Sequence, residues 1–294
     1  MTKFIGTGVA LITPFKADLS IHFEALERLV EYNINNGTDY LVISGTTGES
    51  VTVTAQEKQE LISFIAKVNN KKLPLVLGVG GNNTTSVINE LNTTDLSKID
   101  AILSVSPYYS KPTQEGIYQH FKAIAEVSPK PIILYNVPGR TSSNMLPETT
   151  IRLANDFENI IAVKEAGNNI HQYLELLRNK PKDFLIISGD DDLALSIALA
   201  GGSGVISVIG QALPKKFSEM IRLGIDGKAK EAYKIHFDLM PITRLIFSEN
   251  NPAGIKAVLE ALEISKSHVR LPLVEATDKL KNDIKSALKD LGKS

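Results

Sequence analysis

Short apolar segments rich in β-branched residues recur at regular intervals along the chain, and a segment with helical periodicity follows each of them. Phe23, Leu26, Leu29, Val30 and Ile34, for example, share one face of a predicted helix. The predicted strands are Gly8–Thr13, Tyr40–Ser44, Leu75–Val79, Ala101–Ser106, Ile132–Val137, Ile160–Lys164, Phe184–Ser188 and Gly204–Ile209. This alternation is typical of parallel strands joined by right-handed crossovers, and it predicts an α/β fold, the (β/α)8 TIM barrel.

The chain after Ile209 has only helical patterns. The predicted helices in this part are Lys215–Leu223, Lys228–Phe247, Pro252–Leu262 and Val274–Leu291. We therefore expect a catalytic barrel over residues 1–224 and a C-terminal helical domain over residues 225–294. Thr54 and Glu57 form a predicted capping box, and Pro147 and Pro214 suit the first turns of helices.

Composition narrows the possible partners. The net charge of −1 gives no reason to expect a nucleic-acid or membrane partner. The absence of cysteine excludes disulfides and thiolate chemistry and fits a reducing compartment. No apolar segment approaches the roughly 20 residues that a membrane span needs, and the N-terminus does not resemble a signal peptide. We expect a soluble, cytoplasmic protein.

Lys164 ends an apolar strand, which is an unusual place for a lysine. Loss of hydration there lowers the pKa of an amine, and such a lysine can form a Schiff base with a carbonyl substrate. The alternative is an ion pair with the adjacent Glu165, or a side chain that extends to water. Because consecutive strand residues face opposite sides, we expect Glu165 to point away from the pocket.

Polar residues follow several other strands, at the barrel end where catalytic groups lie. Gly45, Thr46, Thr47 and Ser50 could bind a small carboxylate, or they could be a glycine turn with capping hydroxyls. Further along the chain the candidates are Tyr108, Tyr109, Tyr135 and Arg140. Tyr135 could carry a proton and Arg140 could hold a second carboxylate, or they are a buried phenol and a surface arginine. The tyrosine pair at 108 and 109 could instead be interface packing.

No metal or cofactor is expected. The acidic segment Asp190–Asp192 is interpreted as a helix cap rather than a cation site. The glycines at 201, 202 and 204 are interpreted as a helix-ending turn rather than a phosphate loop. The five histidines lack metal-ligand spacing, and a surface role is the default for His22, His120 and His171.

Four motifs together resemble one known family. Segments 45–50 (GTTGES), 135–141 (YNVPGRT), 163–166 (VKEA) and 188–191 (SGDD) have the order and spacing of the dihydrodipicolinate synthase / N-acetylneuraminate lyase family. The resemblance covers essentially the whole chain. With its arginine, Arg140, the second motif resembles that of the synthase branch of the family, because members of the lyase branch usually lack this arginine.

This resemblance implies a Schiff-base aldolase mechanism without a cofactor. It implies that Lys164 attacks the keto carbon of pyruvate, that Thr46 and Thr47 hold the pyruvate carboxylate, and that Tyr135 moves protons. Arg140 would hold the carboxylate of aspartate semialdehyde. The implied product is 4-hydroxy-tetrahydrodipicolinate, on the route to lysine; the alternative is a related pyruvate-dependent aldolase or lyase that acts on a sugar acid.

The resemblance also implies further site residues and an assembly. Gly189 and Ile206 match positions that line the pyruvate pocket. Tyr135 would be linked through Thr47 to Tyr109, so that Thr47 and Tyr109 would also be catalytic. Tyr109 would reach the site of a neighbouring subunit in a tight dimer, within a homotetramer.

A regulatory site for lysine is implied at the same interface. Its matching residues are Ser50, Asn82 and Tyr108. Ala55 and Lys58 stand where some relatives have histidines, and Ser86 stands where lysine-sensitive members usually have a glutamate. We therefore expect weak or absent inhibition by lysine.

Overall fold

The computed structural model describes residues 2–292; Met1, Lys293 and Ser294, at the outer limits of the two predicted domains, lie outside it. Its strands pair in parallel, in chain order, and close into a barrel. The strands are β1 (Gly6–Ala10), β2 (Tyr40–Ile43), β3 (Leu75–Gly78), β4 (Ala101–Val105), β5 (Ile132–Asn136), β6 (Ile160–Glu165), β7 (Leu185–Ser188) and β8 (Gly204–Ser207). The predicted TIM barrel with a C-terminal helical extension is confirmed.

Helices connect the strands and continue after the barrel. The helices of the barrel are α1 (Phe23–Asn35), α2 (Ala55–Asn69), α3 (Thr84–Thr93), α4 (Gln114–Val127), α5 (Pro138–Thr141), α6 (Pro147–Asp156), α7 (Ile170–Asn179), α8 (Ala194–Leu199) and α9 (Pro214–Ile225). The C-terminal helices are α10 (Ala229–Ser248), α11 (Ala253–Ala261) and α12 (Asp278–Leu291).

The first strand lies earlier than the sequence predicted. The expected span was Gly8–Thr13, but β1 begins at Gly6 and ends at Ala10. Gly6 has φ +98° and lies where a Cβ would meet the Asp39 carboxylate at 2.3 Å, so glycine is required in the strand although its β-propensity is low. The Leu11 N–H still donates to the Val42 carbonyl of β2, but the next N–H, that of Ile12, donates to the side chain of Gln211, so the chain leaves the sheet there.

Most local capping predictions are confirmed. Thr54 and Glu57 form the capping box of α2, and Pro147 and Pro214 are at the starts of α6 and α9. The predicted start of the last helix at Val274 is wrong, because the Thr277 hydroxyl caps α12 by accepting from the Leu280 N–H.

Two apolar layers enclose the barrel strands. The inner layer fills the barrel and includes Tyr40, Tyr135, Ile187 and Ile206. The outer layer lies between strands and helices and continues without a break into the C-terminal helices. We propose that the boundary between the catalytic barrel and the C-terminal helical domain lies at residue 224, and that this domain packs firmly on the barrel.

No helix between residues 2 and 292 has the length and apolar character required to cross a membrane.

Candidate active site

Lys164 and Tyr135 lie side by side in the barrel. Parallel pairing of β5 with β6 aligns Tyr135 with Lys164, and pairing of β6 with β7 aligns Lys164 with Ile187. The Lys164 Nζ lies 4.5 Å from the centroid of the Tyr135 ring. The two residues at the C-terminal ends of neighbouring strands therefore face the same space.

The surroundings of Lys164 favour the neutral amine. The side chain is buried, and desolvation lowers its pKa from 10.5 to about 8. The Asp191 carboxylate opposes this shift, while Arg140 adds to it. The Lys164 amine makes no hydrogen bond or ion pair with another residue in the described part of the chain. A buried amine without a bonded partner is suited to nucleophilic attack.

Glu165 is not the partner of Lys164. Its carboxylate accepts hydrogen bonds from Asn136 Nδ2 and Gln172 Nε2, both at 2.8 Å, and from the Gly167 N–H at 2.7 Å. Burial raises the pKa of Glu165, and these hydrogen bonds oppose the rise. The prediction that Glu165 faces away from the pocket is confirmed.

Gly189 provides space beside the lysine. A Cβ at Gly189 would lie 2.8 Å from Lys164 Cε and 2.6 Å from Ala166 Cβ. A side chain at position 189 would therefore push directly on the nucleophile. Ile206, also expected in the pocket, is fully buried in the inner layer with Tyr135.

The β2–α2 loop carries the two threonines. Thr46 is exposed and lines a cavity at the barrel mouth, whereas Thr47 is 2 % exposed. The Thr47 hydroxyl oxygen accepts a hydrogen bond from Asn251 Nδ2 at 2.9 Å. The threonines thus differ: one side chain is open to a ligand, and the other is held by a residue from the C-terminal helical part.

The cavity at the barrel mouth has a volume of about 630 Å³. Thr46, Tyr135 and Arg140 line it together. Arg140 belongs to the short helix α5, which directly follows β5 and was not predicted. Burial raises the pKa of Tyr135, whereas Arg140 and the Thr46 side chain oppose the rise. A cavity with a phenol, an arginine and a threonine hydroxyl suits a small anionic substrate.

Tyr109 does not enter the cavity of its own chain. It is 88 % exposed, with φ +69°, on the loop after β4. Tyr108 and Ser50 line the cavity, and Asn82 Nδ2 donates to the Tyr108 carbonyl at 3.3 Å. Of the residues predicted for a regulatory site, Ser50 and Tyr108 thus share this cavity, and Asn82 contacts Tyr108.

The acidic residues after β7 make local hydrogen bonds. Asp190 Oδ1 accepts from the N–H groups of Asp192 and Leu193, in the turn before α8. The predicted helix cap is wrong, because the N-cap residue of α8 is Leu193 and no side chain caps this helix. Asp191, which was expected to cap the helix together with its neighbours, is instead buried and accepts from the Val208 and Ile209 N–H groups. Burial raises the pKa of Asp191 to about 6, and its charge acts on Lys164.

The prediction that His120 lies at the surface is wrong. His120 is 5 % exposed, and its Nδ1 lies 2.9 Å from the Thr84 hydroxyl. Burial lowers its pKa to about 4. Since a helix face that packs on the barrel can include a histidine, position within a helix did not predict exposure.

Two further residues near the site were missed. Asn251, which contacts Thr47, lies in a turn that looked like a helix break, and no local signal indicates its partner. Lys256 is fully buried and paired with Glu49 of the β2–α2 loop. Its signal was present in the sequence, because Lys256 interrupts an apolar helix much as Lys164 ends an apolar strand.

Comparison with known proteins agrees with this geometry. The model of the Dihydrodipicolinate synthetase family matches residues 3–291. The chain belongs to this family. It is 57 % identical over 293 residues to the 4-hydroxy-tetrahydrodipicolinate synthase of Flavobacterium psychrophilum, with 100 % of both chains covered. It is 50 % identical to the enzyme of that name from Parabacteroides distasonis, over 97 % of this chain and 96 % of the relative.

Solved structures of this family have the same fold. Dihydrodipicolinate synthase from Thermotoga maritima superposes with a TM-score of 0.96 at 38 % identity, with 99 % of each chain covered. The enzyme from Aquifex aeolicus gives 0.95 at 37 % identity, with 98 % of each chain covered. Membership of the Dihydrodipicolinate synthetase family therefore extends over the barrel and the C-terminal helices alike.

Proposed function

We propose that this chain catalyses the Schiff-base condensation of pyruvate with L-aspartate 4-semialdehyde to 4-hydroxy-tetrahydrodipicolinate, in lysine and diaminopimelate biosynthesis. The full-length relatives named 4-hydroxy-tetrahydrodipicolinate synthase support this lyase activity. The observation that carries it in the structure is the buried, unbonded Lys164 beside Tyr135, at the mouth of the barrel.

The first half-reaction consumes pyruvate. The Lys164 amine adds to the pyruvate keto carbon, and loss of water gives an imine. Loss of a methyl proton then gives an enamine. Thr46 and Thr47 hold the pyruvate carboxylate, and Tyr135 transfers protons as the carbonyl oxygen leaves as water. Gly189 and Ile206 line the pocket around the bound three-carbon unit.

The second half-reaction forms the carbon–carbon bond. The enamine carbon attacks the aldehyde of aspartate semialdehyde, and Arg140 holds the substrate carboxylate by paired hydrogen bonds. The amine of the added unit then displaces Lys164, which closes the ring and restores the free lysine. Action on a sugar acid is not favoured, because the full-length relatives share the synthase name and Arg140 lines the cavity.

The site is completed by a second subunit in this proposal. Tyr109 acts in the site of the partner within a tight dimer, and two such dimers form a homotetramer. The link from Tyr109 to Tyr135 was expected through Thr47, but the side chain that hydrogen-bonds Tyr135 and opposes the rise of its pKa is that of Thr46, which supports Thr46 in this role. The high exposure of Tyr109 and of Val51, 88 % and 85 %, supports an interface at the barrel mouth, where Val51 lines the cavity together with Tyr108. We also propose that the enzyme works in the cytoplasm, without a cofactor and without nucleic-acid or membrane partners.

Borohydride trapping tests the nucleophile and its substrate together. Enzyme incubated with pyruvate and reduced should gain the mass of one reduced pyruvate adduct, located on Lys164 by peptide mapping. Lys164→Arg should not be trapped, because guanidinium does not deprotonate usefully in proteins. A reductase-coupled assay with aspartate semialdehyde then tests the condensation. Trapping without that turnover, but with cleavage of a sugar acid, would favour the alternative.

We also propose that lysine inhibits weakly or not at all. The candidate regulatory residues Ser50, Asn82 and Tyr108 lie close together, but Ser86 provides no carboxylate for an amino group. Lys58, at the same side of the cavity, is already paired with Glu90 and donates to the Gly78 carbonyl at 2.6 Å. Inhibition of the coupled assay by sub-millimolar lysine would refute this expectation.

A further inference from the structure

Arg140 depends on its backbone for its place at the cavity. It belongs to α5, the short helix that directly follows β5, and it lines the cavity at the barrel mouth. The residue is exposed, and its guanidinium makes no hydrogen bond or ion pair with another residue between positions 2 and 292. A long side chain without internal contacts keeps its rotamer freedom. The path of the chain around α5 therefore determines where the guanidinium can reach.

The segment that carries Arg140 is fixed at both of its ends. At its start, the carbonyl of Val137, the residue after β5, accepts from the Arg140 N–H at 2.9 Å. At its end, the Met145 N–H donates to Asn136 Oδ1 at 3.0 Å. The first end is thus held by the sheet, whereas the second depends on a side chain.

Asn144 makes most of the contacts at this second end. Its Oδ1 accepts from Asn136 Nδ2 at 2.8 Å and from Gln172 Nε2 at 3.2 Å. Its Nδ2 donates to Gln172 Oε1 at 2.8 Å, and its carbonyl accepts from Gln114 Nε2, also at 2.8 Å. One residue thereby connects the segment to β5, α7 and α4 at once.

The buried carboxylate of Glu165 completes this group of side chains. Asn136 Nδ2 and Gln172 Nε2 each donate to Glu165 Oε2 at 2.8 Å. Glu165 is 1 % exposed and follows Lys164 directly on β6, and the proposed mechanism gives its carboxylate no part. Breaking a buried polar network leaves unpaired groups in a dry environment, so the network favours one arrangement of the segment.

We propose that Asn144 is a positioning residue for the second substrate: it fixes the segment after α5 and so holds the Arg140 guanidinium where the carboxylate of aspartate semialdehyde binds. Glu165 stabilises the two amides that bind Asn144. This inference rests on the proposed function and on the place of Arg140 in it. Asn144 is not among the described residues that line the cavity, so it acts through Arg140 and should affect one half-reaction only.

The test measures Asn144→Ala in both half-reactions. We expect kcat/KM for aspartate semialdehyde in the coupled assay to fall about tenfold, because a small displacement of a binding group weakens its hold on the substrate. The KM for pyruvate should change less than about twofold. At a pH well above the pKa of Lys164, the rate of borohydride trapping should also change less than about twofold, since Lys164 and Tyr135 lie on strands that pair directly.

A double-mutant cycle with Arg140→Ala separates positioning from general loosening. Without a guanidinium to position, adding Asn144→Ala should lower condensation by less than about twofold. Gln172→Met disturbs the same group from α7, because it removes the amide that both donates to and accepts from Asn144. It should show the same selective loss of condensation.

Asn159→Ala is the matched control. Asn159 is half-buried like Asn144, and its Nδ2 donates to the Ala125 carbonyl at 2.8 Å. It directly precedes β6 and therefore lies at the end of the barrel opposite the site. This variant should lower the melting temperature without changing either half-reaction.

The outcomes distinguish this inference from the proposed function. The inference alone fails if Asn144→Ala retains wild-type kcat/KM for aspartate semialdehyde, lowers trapping as much as condensation, or has the same effect with and without Arg140. The proposed function fails first if wild-type enzyme forms no trapped pyruvate adduct or does not condense pyruvate with aspartate semialdehyde. If Asn144→Ala does not fold, Gln172→Met and its own cycle with Arg140→Ala decide.

Discussion

Two lysines in apolar surroundings show how a single residue acquires its role. Lys164 and Lys256 are both buried, and burial lowers the pKa of each. Lys256 is paired with Glu49, which opposes the shift and makes the lysine structural. The Lys164 amine has no bonded partner within residues 2–292 and faces Tyr135 at the barrel mouth. The presence or absence of a carboxylate partner therefore separates a structural lysine from a candidate nucleophile more clearly than burial does.

The pH dependence of imine formation should report the pKa of Lys164. Because this pKa is lowered from 10.5 to about 8, the rate of pyruvate trapping should rise with pH, with a midpoint near 8, and level off above it. Asp191, whose pKa is about 6, is charged in that range, where it favours the ammonium form of Lys164. Asp191→Asn should therefore move the midpoint to lower pH. The measurement is the adduct yield in timed reactions quenched with borohydride.

The neighbouring aspartate provides the control for this profile. Asp190 Oδ1 accepts from two N–H groups of the turn before α8, and Asp190 is not among the groups that shift the pKa of Lys164. Asp190→Asn keeps an acceptor for these N–H groups and should leave the midpoint unchanged. A midpoint that moved upward in Asp191→Asn would show that the charge of Asp191 does not act on Lys164 as inferred.

Arg140 should bind substrate only in the second half-reaction. Arg140→Ala removes the clamp on the second carboxylate and also a charge that lowers the pKa of Lys164. At a pH well above that pKa, where Lys164 is neutral in both proteins, pyruvate trapping should therefore keep its wild-type rate while the coupled condensation falls at least about a hundredfold. Arg140→Lys keeps the charge but not the paired geometry and should give an intermediate loss. Equal losses in trapping and condensation would show that Arg140 serves pyruvate as well.

At the scale of elements, the β2–α2 loop depends on the C-terminal helices. Ser44 and Glu49 have φ +53° and +54°, which residues with a side chain rarely adopt. The buried Glu49–Lys256 pair and the Arg270 N–H hold this loop conformation from outside the barrel. The loop that carries both threonines is thus stabilised by a different part of the chain.

Breaking the buried pair should be costly. Lys256→Met leaves the Glu49 carboxylate buried without its cation, and we expect the free energy of unfolding to fall by about 3–5 kcal/mol. Denaturant unfolding followed by circular dichroism measures the change. Adding Glu49→Gln should recover part of the loss, since the uncompensated charge is then gone and the Arg270 N–H keeps an acceptor.

An exposed ion pair on α12 provides the control for Lys256→Met. Lys279 and Asp283 are paired one turn apart on α12, and Lys279 is largely exposed. Lys279→Met should change stability little, because exposed pairs contribute little. If both lysine variants had the same small effect, the buried pair would not be what holds the β2–α2 loop.

The sequence predicted elements well where the signal was local. The capping box at Thr54 and the proline starts of α6 and α9 were found because each depends on residues within one turn. The start of β1 at Gly6 was missed because its glycine is required by the nearby Asp39 side chain rather than by strand propensity. The contacts of Asn251 and Lys256 were missed for the same reason: their partners lie more than 200 positions away.

At the scale of the whole molecule, the barrel collects residues that are far apart in the chain. Periodicity predicted the order of the strands, and that order is enough to place Thr46, Tyr135, Arg140 and Lys164 at one end of a barrel. The inward direction of Tyr135 and Lys164 followed from strand alternation. The proposed role of the exposed Tyr109 in a partner's site does not follow from the order of the strands, because a contact with another subunit leaves no pattern within one chain.

Subunit complementation tests whether Tyr109 acts in the partner's site. Lys164→Arg and Tyr109→Phe should each lower activity strongly as homo-oligomers. In a mixed dimer, one site combines an intact Lys164 with an intact Tyr109 from the partner, because the two substitutions fall together in the other site. Co-expression with two different tags and purification through both should therefore restore activity well above that of either variant.

The control places both substitutions in one chain and pairs it with wild type. In that mixed dimer each site carries one defect, since the intact Lys164 meets the substituted Tyr109 of its partner and the substituted lysine meets the intact tyrosine. Activity should then remain low, which is the reverse of what a tyrosine acting within its own chain requires. If this second pairing were the active one and the first were not, Tyr109 would serve the site of its own subunit, and the interface face around Val51 would need another explanation.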